Sequence, residues 1–487
     1  MKLIFEKSRP GRRAIRWPEP VAPVSLERRR DLCRSSPADL PEVSELETVR
    51  HFTELSRRNF SVDTHFYPLG SCTMKYNPRG CEAAAALGGF SDLHPLLPQL
   101  RHGGQLTQGA LQLLYELERM LSDICGMAEF TLQPMAGAHG ELTGAMLMAA
   151  YHRDRGNRKT HVIVPDAAHG TNPASARLAG YDVLSIPSRA DHHMDVDRLL
   201  SSIRTDTAGI MLTCPDTLGA FPARITEIAA AAHAVDALMY YDGANLNAIL
   251  GRVRPGRLGF DICHVNLHKT FGTPHGGGGP GAGPVGVAER LRPYLPISRV
   301  RTHSDGTYYL DYDAPKSIGY IAPFYGNFAV LVRAYAWLRM VGREGLRAVS
   351  NLAVLNANYV QERLRPHLDA VNPGRCMHEC VFSGRRLAAR GVRTLDLAKA
   401  LIDRGLHPPT VYFPIHVPEA LMIEPTEAES RETLDRFCDA VIECVELARR
   451  DPDALRRAPA TTPVGRLDEV AAARRMDLAW TGPDGAR

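Results

Sequence analysis

One lysine and one aspartate carry most of the chemistry that can be read from this chain. Lys269 lies in Val265-Asn266-Leu267-His268-Lys269-Thr270-Phe271-Gly272, directly after an apolar run, Phe260 to Val265, that reads as a short buried strand. A lysine partly withdrawn from water gives up its proton more readily, and the free amine condenses with aldehydes as a Schiff base. The glycines beyond it, up to Gly279 and Pro280, let backbone approach a ligand closely. Upstream, Ala237-Leu238-Met239-Tyr240-Tyr241-Asp242-Gly243-Ala244-Asn245 is an apolar strand that ends in a carboxylate and small residues. The interval from Asp242 to Lys269 holds a turn, a short connection and one further strand. Pyridoxal phosphate (PLP) needs this pair: a lysine to hold the aldehyde, and an aspartate at a neighbouring strand end to keep the pyridine nitrogen protonated. Taken singly, the two residues read as a surface lysine and a strand-end turn. Their combination predicts a PLP site with Asp242 and Ala244 against the cofactor and His268 beside the lysine.

The elements that must position these residues follow a regular alternation. His161–Pro165, Val183–Pro187, Ala208–Thr213 and Leu238–Asp242 read as strands, and helices are predicted near 173–179, 196–204 and 225–235. This pattern predicts a parallel sheet covered by helices on both faces, with ligands at the strand C-terminal ends. The loops there offer Asp166 and His169, then Thr213, then Asp242, then His268 and Lys269. His169 is a candidate to stack on the cofactor ring, and Thr213 to contact it. Gln133-Pro134-Met135-Ala136-Gly137-Ala138-His139-Gly140 opens a helix, and a small-residue turn at a helix N-terminus binds anions. Gly137, Ala138 and His139 are therefore candidates for the phosphate. The stretch from Asp63 to Pro78 has no helical or strand period and concentrates His65, Ser71, Cys72, Thr73 and Lys75 between Pro and Gly. Ordered loops of this composition carry function.

Bulk properties exclude other classes. A net charge of +4 over 487 residues, with basic residues scattered, does not suit nucleic-acid binding. The densest basic run, Glu27-Arg28-Arg29-Arg30, is predicted on a solvated helix. No apolar run approaches the ~20 residues of a membrane span, and the N-terminus lacks the apolar core of a secretory signal. Ten scattered cysteines without a CxxC suit a reducing cytoplasm. Cys376-x-x-x-Cys380 around His378 reads as strand packing, and no metal is expected.

The domain plan is an arm and active-site loop over 1–75, a large PLP-binding domain over 76–325, a small α/β domain with linking helices over 326–450, and a tail over 451–487. The arm, rich in Pro and Arg with one helix from Pro41 to Arg58, is expected to pack on a larger body or a neighbour. The tail is expected to drape on the surface or to be partly disordered.

Five stretches have a further quality: they are long and specific. They are Tyr67-Pro68-Leu69-Gly70-Ser71-Cys72-Thr73-Met74-Lys75-Tyr76-Asn77-Pro78, Asn266 to Phe271, Gly326 to Tyr335, Pro408 to Pro414 and Met422 to Glu427. Together they resemble the glycine cleavage system P-protein family, PLP-dependent glycine decarboxylases of fold type I. The likeness runs from about Asn59 to Phe437 and is greatest to the lysine-bearing subunit 2 of the two-subunit bacterial form. The chain departs from the family at Thr213-Cys214-Pro215-Asp216-Thr217, where Thr-Asn-Pro-Asn-Thr is usual. The resemblance implies an α/β fold with an aspartate aminotransferase-like large domain and a smaller C-terminal domain. It implies decarboxylation of glycine with transfer of the aminomethyl group to the lipoyl arm of H-protein, and Lys269 and His268 as catalytic residues. It also implies that His65, Ser71, Cys72 and Thr73 line the entrance for substrate and lipoyl arm. A separate subunit 1 is implied as partner, in a heterotetramer of two plus two chains. The rival readings are another fold-type I enzyme, such as an aminotransferase or desulfurase, and a non-catalytic structural subunit.

Overall fold

The computed structural model describes residues 1–16, 18, 27–36, 38–94, 96–100, 103–276 and 281–478. The side chains of the 27–29 part of the basic run, the 277–280 part of the glycine run and the last stretch of the tail, 479–487, lie outside the described residues. The chain divides into two units, Met1–His65 and Phe66–Arg487. In the first, the predicted arm helix runs Glu45–Ser56 and starts with a capping box, Ser44 and Glu47 each satisfying the other's backbone N–H.

In the second unit, seven strands form one sheet: β1 (Glu129–Thr131), β2 (His161–Pro165), β3 (Asp182–Ile186), β4 (Thr207–Thr213), β5 (Leu238–Gly243), β6 (Ile262–Val265) and β7 (Val285–Val287). Their order is β1-β7-β6-β5-β4-β2-β3. The predicted alternation is present from β2 to β6, and these strands pair in parallel. The sheet is not wholly parallel, however. β7 runs antiparallel to both β6 and β1. Between β6 and β7 the chain forms only a four-residue helix, Leu267–Thr270, among the described residues. A parallel return is usually carried by a full crossover helix, which this connection does not show among its described residues, and the strand comes back reversed. Every residue of β5 is buried, as expected of a central strand covered on both faces.

A hairpin, β8 (Arg299–Thr302) and β9 (Tyr308–Asp311), precedes a long helical segment, Phe328–Leu364. Gly342, at φ 63° and ψ 179°, breaks that segment into two helices. A second, antiparallel sheet follows: β10 (Asp369–Ala370), β11 (Cys380–Ser383), β12 (Thr410–Val411) and β13 (Ala420–Ile423), in the order β10-β11-β13-β12. Cys376 and Cys380 pack in its apolar core with Phe382 and Phe437, which agrees with the strand-packing reading. The tail departs from expectation in its first part. Pro452–Arg457 is helical and Leu455 is fully buried in the same core. Asp403 accepts hydrogen bonds from the N–H groups of Ala460 and Thr461, and Arg466 pairs with Asp396 at 2.7 Å. Buried leucine and paired charges fasten this segment, a pattern that Pro and Arg content alone hides.

The helix Gly137–Asp154 approaches the sheet through glycine. A Cβ on Gly144 would sit 2.2 Å from Tyr240 Cε2 and 3.2 Å from Ile262 Cγ2. Alanine has the better helix propensity by about 1 kcal/mol, but forced overpacking against a rigid ring costs about 1–3 kcal/mol. Gly144→Ala is thus expected to lower stability despite the propensity gain, which urea unfolding of the variant checks.

Candidate active site

Three strands meet in register at the site. Thr213 of β4 faces Asp242 of β5, and Asp242 faces His264 of β6. Asp242 is 1% exposed. Its carboxylate accepts hydrogen bonds from Asn172 Nδ2 at 3.0 Å, Thr213 Oγ1 at 3.1 Å and the Ala244 N–H at 3.0 Å. His264 Nε2 lies 3.4 Å from Asp242 Oδ1, and its Nδ1 is 2.6 Å from the Tyr240 hydroxyl. Burial pushes the Asp242 carboxyl up, but His264, Asn172, the Ala244 N–H and Lys269 outweigh it and hold the group below the usual carboxylate range.

Asp242 opens on a cavity of about 210 Å³. Lys269, His268 and Asn266 line it from the turn after β6, and Gly137, Ala138 and Glu141 from the helix start. His169, Thr213, Thr217, Ala244, Asn245, Ser71 and Phe413 complete the wall. Of the predicted residues, Lys269, His268, Asp242, His169, Ala244, Gly137, Ala138, Thr213 and Ser71 therefore share one cavity. His139 does not line it, and its Nδ1 accepts the Met135 N–H at 3.3 Å. His169 Nδ1 is 2.7 Å from Thr171 Oγ1 and 3.5 Å from Glu141 Oε1, and the Glu141 carboxylate raises its pKa. His268 is pushed down to about 3, by burial first and then by the nearby His275 and Lys269.

The predicted entrance residues divide. His65 ends the first unit, with its Nδ1 2.7 Å from Thr64 Oγ1. Cys72 is half-buried, and burial raises its thiol to about 11. Thr73 is buried, its N–H and hydroxyl both donated to Glu424. At the departure from the family pattern, Cys214 is buried and its carbonyl accepts the Tyr241 hydroxyl. The Asp216 carboxylate caps its own turn, accepting the N–H groups of Leu218 and Ala220 at 2.9 Å.

Sequence reasoning missed His264, Asn172, Glu141, Asn245, Asn266 and Thr217. A usable signal existed for His264, a polar residue in the middle of a four-residue buried strand. The others sit in loops and helix starts, where composition does not single them out.

The residues present fit PLP. Thr217 Oγ1, Asn245 Oδ1 and Asn266 Oδ1 line the cavity, buried and without hydrogen-bond partners. Such atoms are costly unless a ligand or water meets them. The first intrahelical bond runs from the Gly140 N–H to Ala136 O, which leaves the preceding N–H groups of Gly137, Ala138 and His139 for an anion. A Cβ at Gly137 would come 2.6 Å from Asn266 Oδ1, so this cradle is bare backbone. A cationic ring nitrogen suits Asp242, and a carbonyl suits Lys269. A larger cavity, about 340 Å³, lies among Phe90, Leu111, Leu114, Phe324 and Phe328. Among the described residues it is lined by no carboxylate and by one guanidinium, Arg333, which pairs with Glu82 at 2.7 Å.

The depressed His268 predicts a pH effect on stability. Unfolding returns the imidazole to its ordinary 6.5, so the unfolded chain binds a proton that the folded chain refuses until about 3. The contribution is full above 6.5 and is lost as pH falls toward 3, at up to about 1.4 kcal/mol per pH unit. His268→Gln is expected to unfold with a shallower loss of stability between pH 7 and pH 5, by about 2 kcal/mol, in urea titrations at the two pH values.

Comparison with known proteins agrees with this geometry. The family model for the glycine cleavage system P-protein matches residues 102–306, and that for the glycine dehydrogenase C-terminal domain matches residues 349–454. The chain is 52% identical to the probable glycine dehydrogenase (decarboxylating) subunit 2 of Caldanaerobacter subterraneus subsp. tengcongensis, over 98% of each chain. It is 54% identical to the protein of the same name from Exiguobacterium sibiricum, over 98% of this chain and 97% of that one. Among solved structures, the fold matches glycine decarboxylase (P-protein) of the glycine cleavage system in inhibitor-bound form, with TM-score 0.70 and 22% identity, over 86% of this chain and 94% of that one. It also matches aspartate aminotransferase from Thermus thermophilus, with TM-score 0.55 and 16% identity, over 78% and 99%. The fold is thus that of the fold-type I enzymes, and the chain belongs to the glycine dehydrogenase (decarboxylating) subunit 2 family of the glycine cleavage system P-proteins.

Proposed function

We propose that this chain is the PLP-bearing subunit of a glycine decarboxylase of the glycine cleavage system. The observation that carries the reading is the meeting of Lys269 and a buried, hydrogen-bonded Asp242 on one cavity, in a chain of this family. When bound, PLP supplies a carbonyl for an amine and an electron-withdrawing ring that stabilises negative charge at the substrate Cα. Lys269 Nζ is the group that holds the carbonyl carbon and gives way to the glycine amine. Asp242 holds the proton on the ring nitrogen, and its own charge is kept by Asn172, Thr213 and the Ala244 N–H. Gly137 and Ala138 bind the phosphate through backbone N–H groups, with the His139 N–H next in line. His169, tied to Glu141, covers the ring, and His268, neutral at pH 7, orients it without adding positive charge beside Lys269.

Glycine loses its carboxylate as CO2, with the bonding electrons left on Cα. The carbon then attacks one sulfur of the lipoyl disulfide of H-protein. The S–S bond breaks, one sulfur carries the aminomethyl group and the other leaves as a thiolate, so the disulfide is reduced as the carbon is oxidised. Ser71 and Cys72 stand where glycine and the lipoyl arm enter. Subunit 1 completes the enzyme in a heterotetramer of two plus two chains. The arm is a candidate to contact it, since its helix leaves Leu46, Val49 and Phe52 exposed. A cytoplasmic setting suits ten free cysteines. No helix among the described residues is long and apolar enough to cross a membrane.

Lys269→Ala is expected to abolish glycine-dependent CO2 release and the borohydride-reducible bond to the cofactor, with the circular dichroism spectrum unchanged. A reducible bond that survives in the variant would overturn the assignment. Asp242→Asn is expected to bind PLP but to slow turnover by about a hundredfold or more, the scale of losing one preorganised electrostatic contact. In assays with lipoylated H-protein, full activity is expected only after subunit 1 is added, together with a shift to a larger species on size-exclusion chromatography. Full activity of this chain alone would refute the two-subunit reading.

A further inference from the structure

Two buried glutamates stand behind the cavity with no role in the reading above. Glu379 precedes β11 and Glu424 follows β13. Cys380 pairs with Ile423 in register, so the two acids are the next facing positions of adjacent antiparallel strands. Both are fully buried. Burial raises both carboxyls above the usual range, and Glu379 well above it, where the Glu424 charge adds to the push. His378, also buried, has neither ring nitrogen hydrogen-bonded, and its Nε2 lies 3.4 Å from Glu379 Oε1.

The acids grip one short turn. Glu379 Oε2 accepts the Ser71 N–H at 2.7 Å. Glu424 accepts the Thr73 N–H at 2.9 Å and the Thr73 hydroxyl at 2.5 Å, and also Asn247 Nδ2 at 3.2 Å. Ser71 and Thr73 are both left-handed, at φ 64° and 51°. That conformation is unfavourable for residues other than glycine and persists where surrounding contacts enforce it. Downstream, Lys75 Nζ donates to Thr270 O at 2.6 Å, one residue beyond Lys269, and pairs with Glu427 at 2.5 Å. The turn is thereby fastened on both sides, with Ser71 facing the cavity.

We propose that Glu379 and Glu424 are positioning residues that hold the Ser71–Thr73 turn, and with it one wall of the Lys269 cavity, from the small sheet. The two have unequal parts. Glu424 uses both oxygens as acceptors, which a carboxylate does and a protonated acid or amide does less well. Glu379 uses one oxygen only, and its Oε1 has no hydrogen-bond partner, so a neutral acid keeps the contact to Ser71. Glutamine mimics a neutral acid. It therefore replaces Glu379 and fails to replace Glu424.

The inference rests on the Lys269 cavity being the reacting site, so its test includes a readout that needs no turnover. Cys72 lies inside the turn and is half-buried, and its alkylation rate in the full-length chain, followed by mass spectrometry at that residue, reports whether the turn is held. Loss of a hydrogen bond to a charged group is worth a factor of about ten or more. Cys72 is expected to react at least about tenfold faster in Glu424→Gln and Glu379→Ala than in the wild type, and at the wild-type rate in Glu379→Gln. With subunit 1 and H-protein present, the two sensitive variants should raise KM for glycine while PLP affinity and thermal midpoint stay at wild-type values. Thr73→Val, which keeps the side-chain shape and removes the hydroxyl donor, should speed Cys72 alkylation in the same direction, and it serves if Glu424→Gln does not fold. The proposal is overturned by a wild-type Cys72 rate in Glu424→Gln or Thr73→Val, by identical behaviour of Glu379→Gln and Glu424→Gln, or by a loss of PLP affinity and thermal midpoint in step with activity. Absence of glycine decarboxylation in the wild type would instead count against the functional reading and leave the alkylation result standing.

Discussion

The site depends on keeping one carboxylate charged where water does not reach. Taking a carboxylate out of water costs several kcal/mol, which only close and well-aimed partners offset. Asp242 accepts hydrogen bonds from Asn172, Thr213 and the Ala244 N–H, and His264 Nε2 stands 3.4 Å away. Two of them are register neighbours on the flanking strands, because Thr213, Asp242 and His264 stand level across β4, β5 and β6. A slip of one residue in either pairing would turn the partner to the other face of the sheet. The register of three buried strands is therefore a condition of the chemistry as well as of the core. It also explains the short connection to the lysine, since β6 brings His264 under Asp242 and then releases the chain into the turn that carries Lys269.

The same constraint shapes the helix above the sheet. Gly137, Gly140 and Gly144 lie on one helix face, and a Cβ at any of them would press on Asn266, on Gly283 O or on Tyr240. Bare backbone on that face lets the helix lie close enough for its N-terminal N–H groups to point into the cavity that Asp242 and Lys269 share. The helix start and the buried carboxylate thus share one small space through two kinds of close approach, strand to strand and helix to sheet.

Much of this was legible in the sequence, and the limit is physical. The strands from β2 to β6 announced themselves by apolar runs between turns, and Lys269 and Asp242 by standing at strand ends. The reversed β7 did not, because Val285–Val287 is only three residues long and no period can be read from three residues. His139 was singled out by its place at a helix start, which offers its backbone N–H, while its ring turns back to cap Met135. The tail looked surface-draped or partly disordered from its Pro and Arg content, although Leu455 is fully buried. For the His139 ring and for Leu455, side-chain direction decided the outcome, and composition carries no direction.

The loop from Ser71 to Lys75 shows the deeper limit. Its composition marked it as functional, but the residues that hold it, Glu379, Glu424 and Glu427, come from the far end of the chain. No local pattern connects them. In the folded protein the connection is direct: the small sheet ends in carboxylates, the carboxylates hold the loop, and the loop's lysine reaches the Thr270 carbonyl beside Lys269. Gly70 is packed so closely on Met422 of β13 that a Cβ there would overlap its side chain, which leaves the loop no freedom to slide along the strand. The small sheet is therefore part of the site's frame. A shift in β11 or β13 would therefore reach Ser71, and with it the wall of the Lys269 cavity, through Glu379 and Glu424.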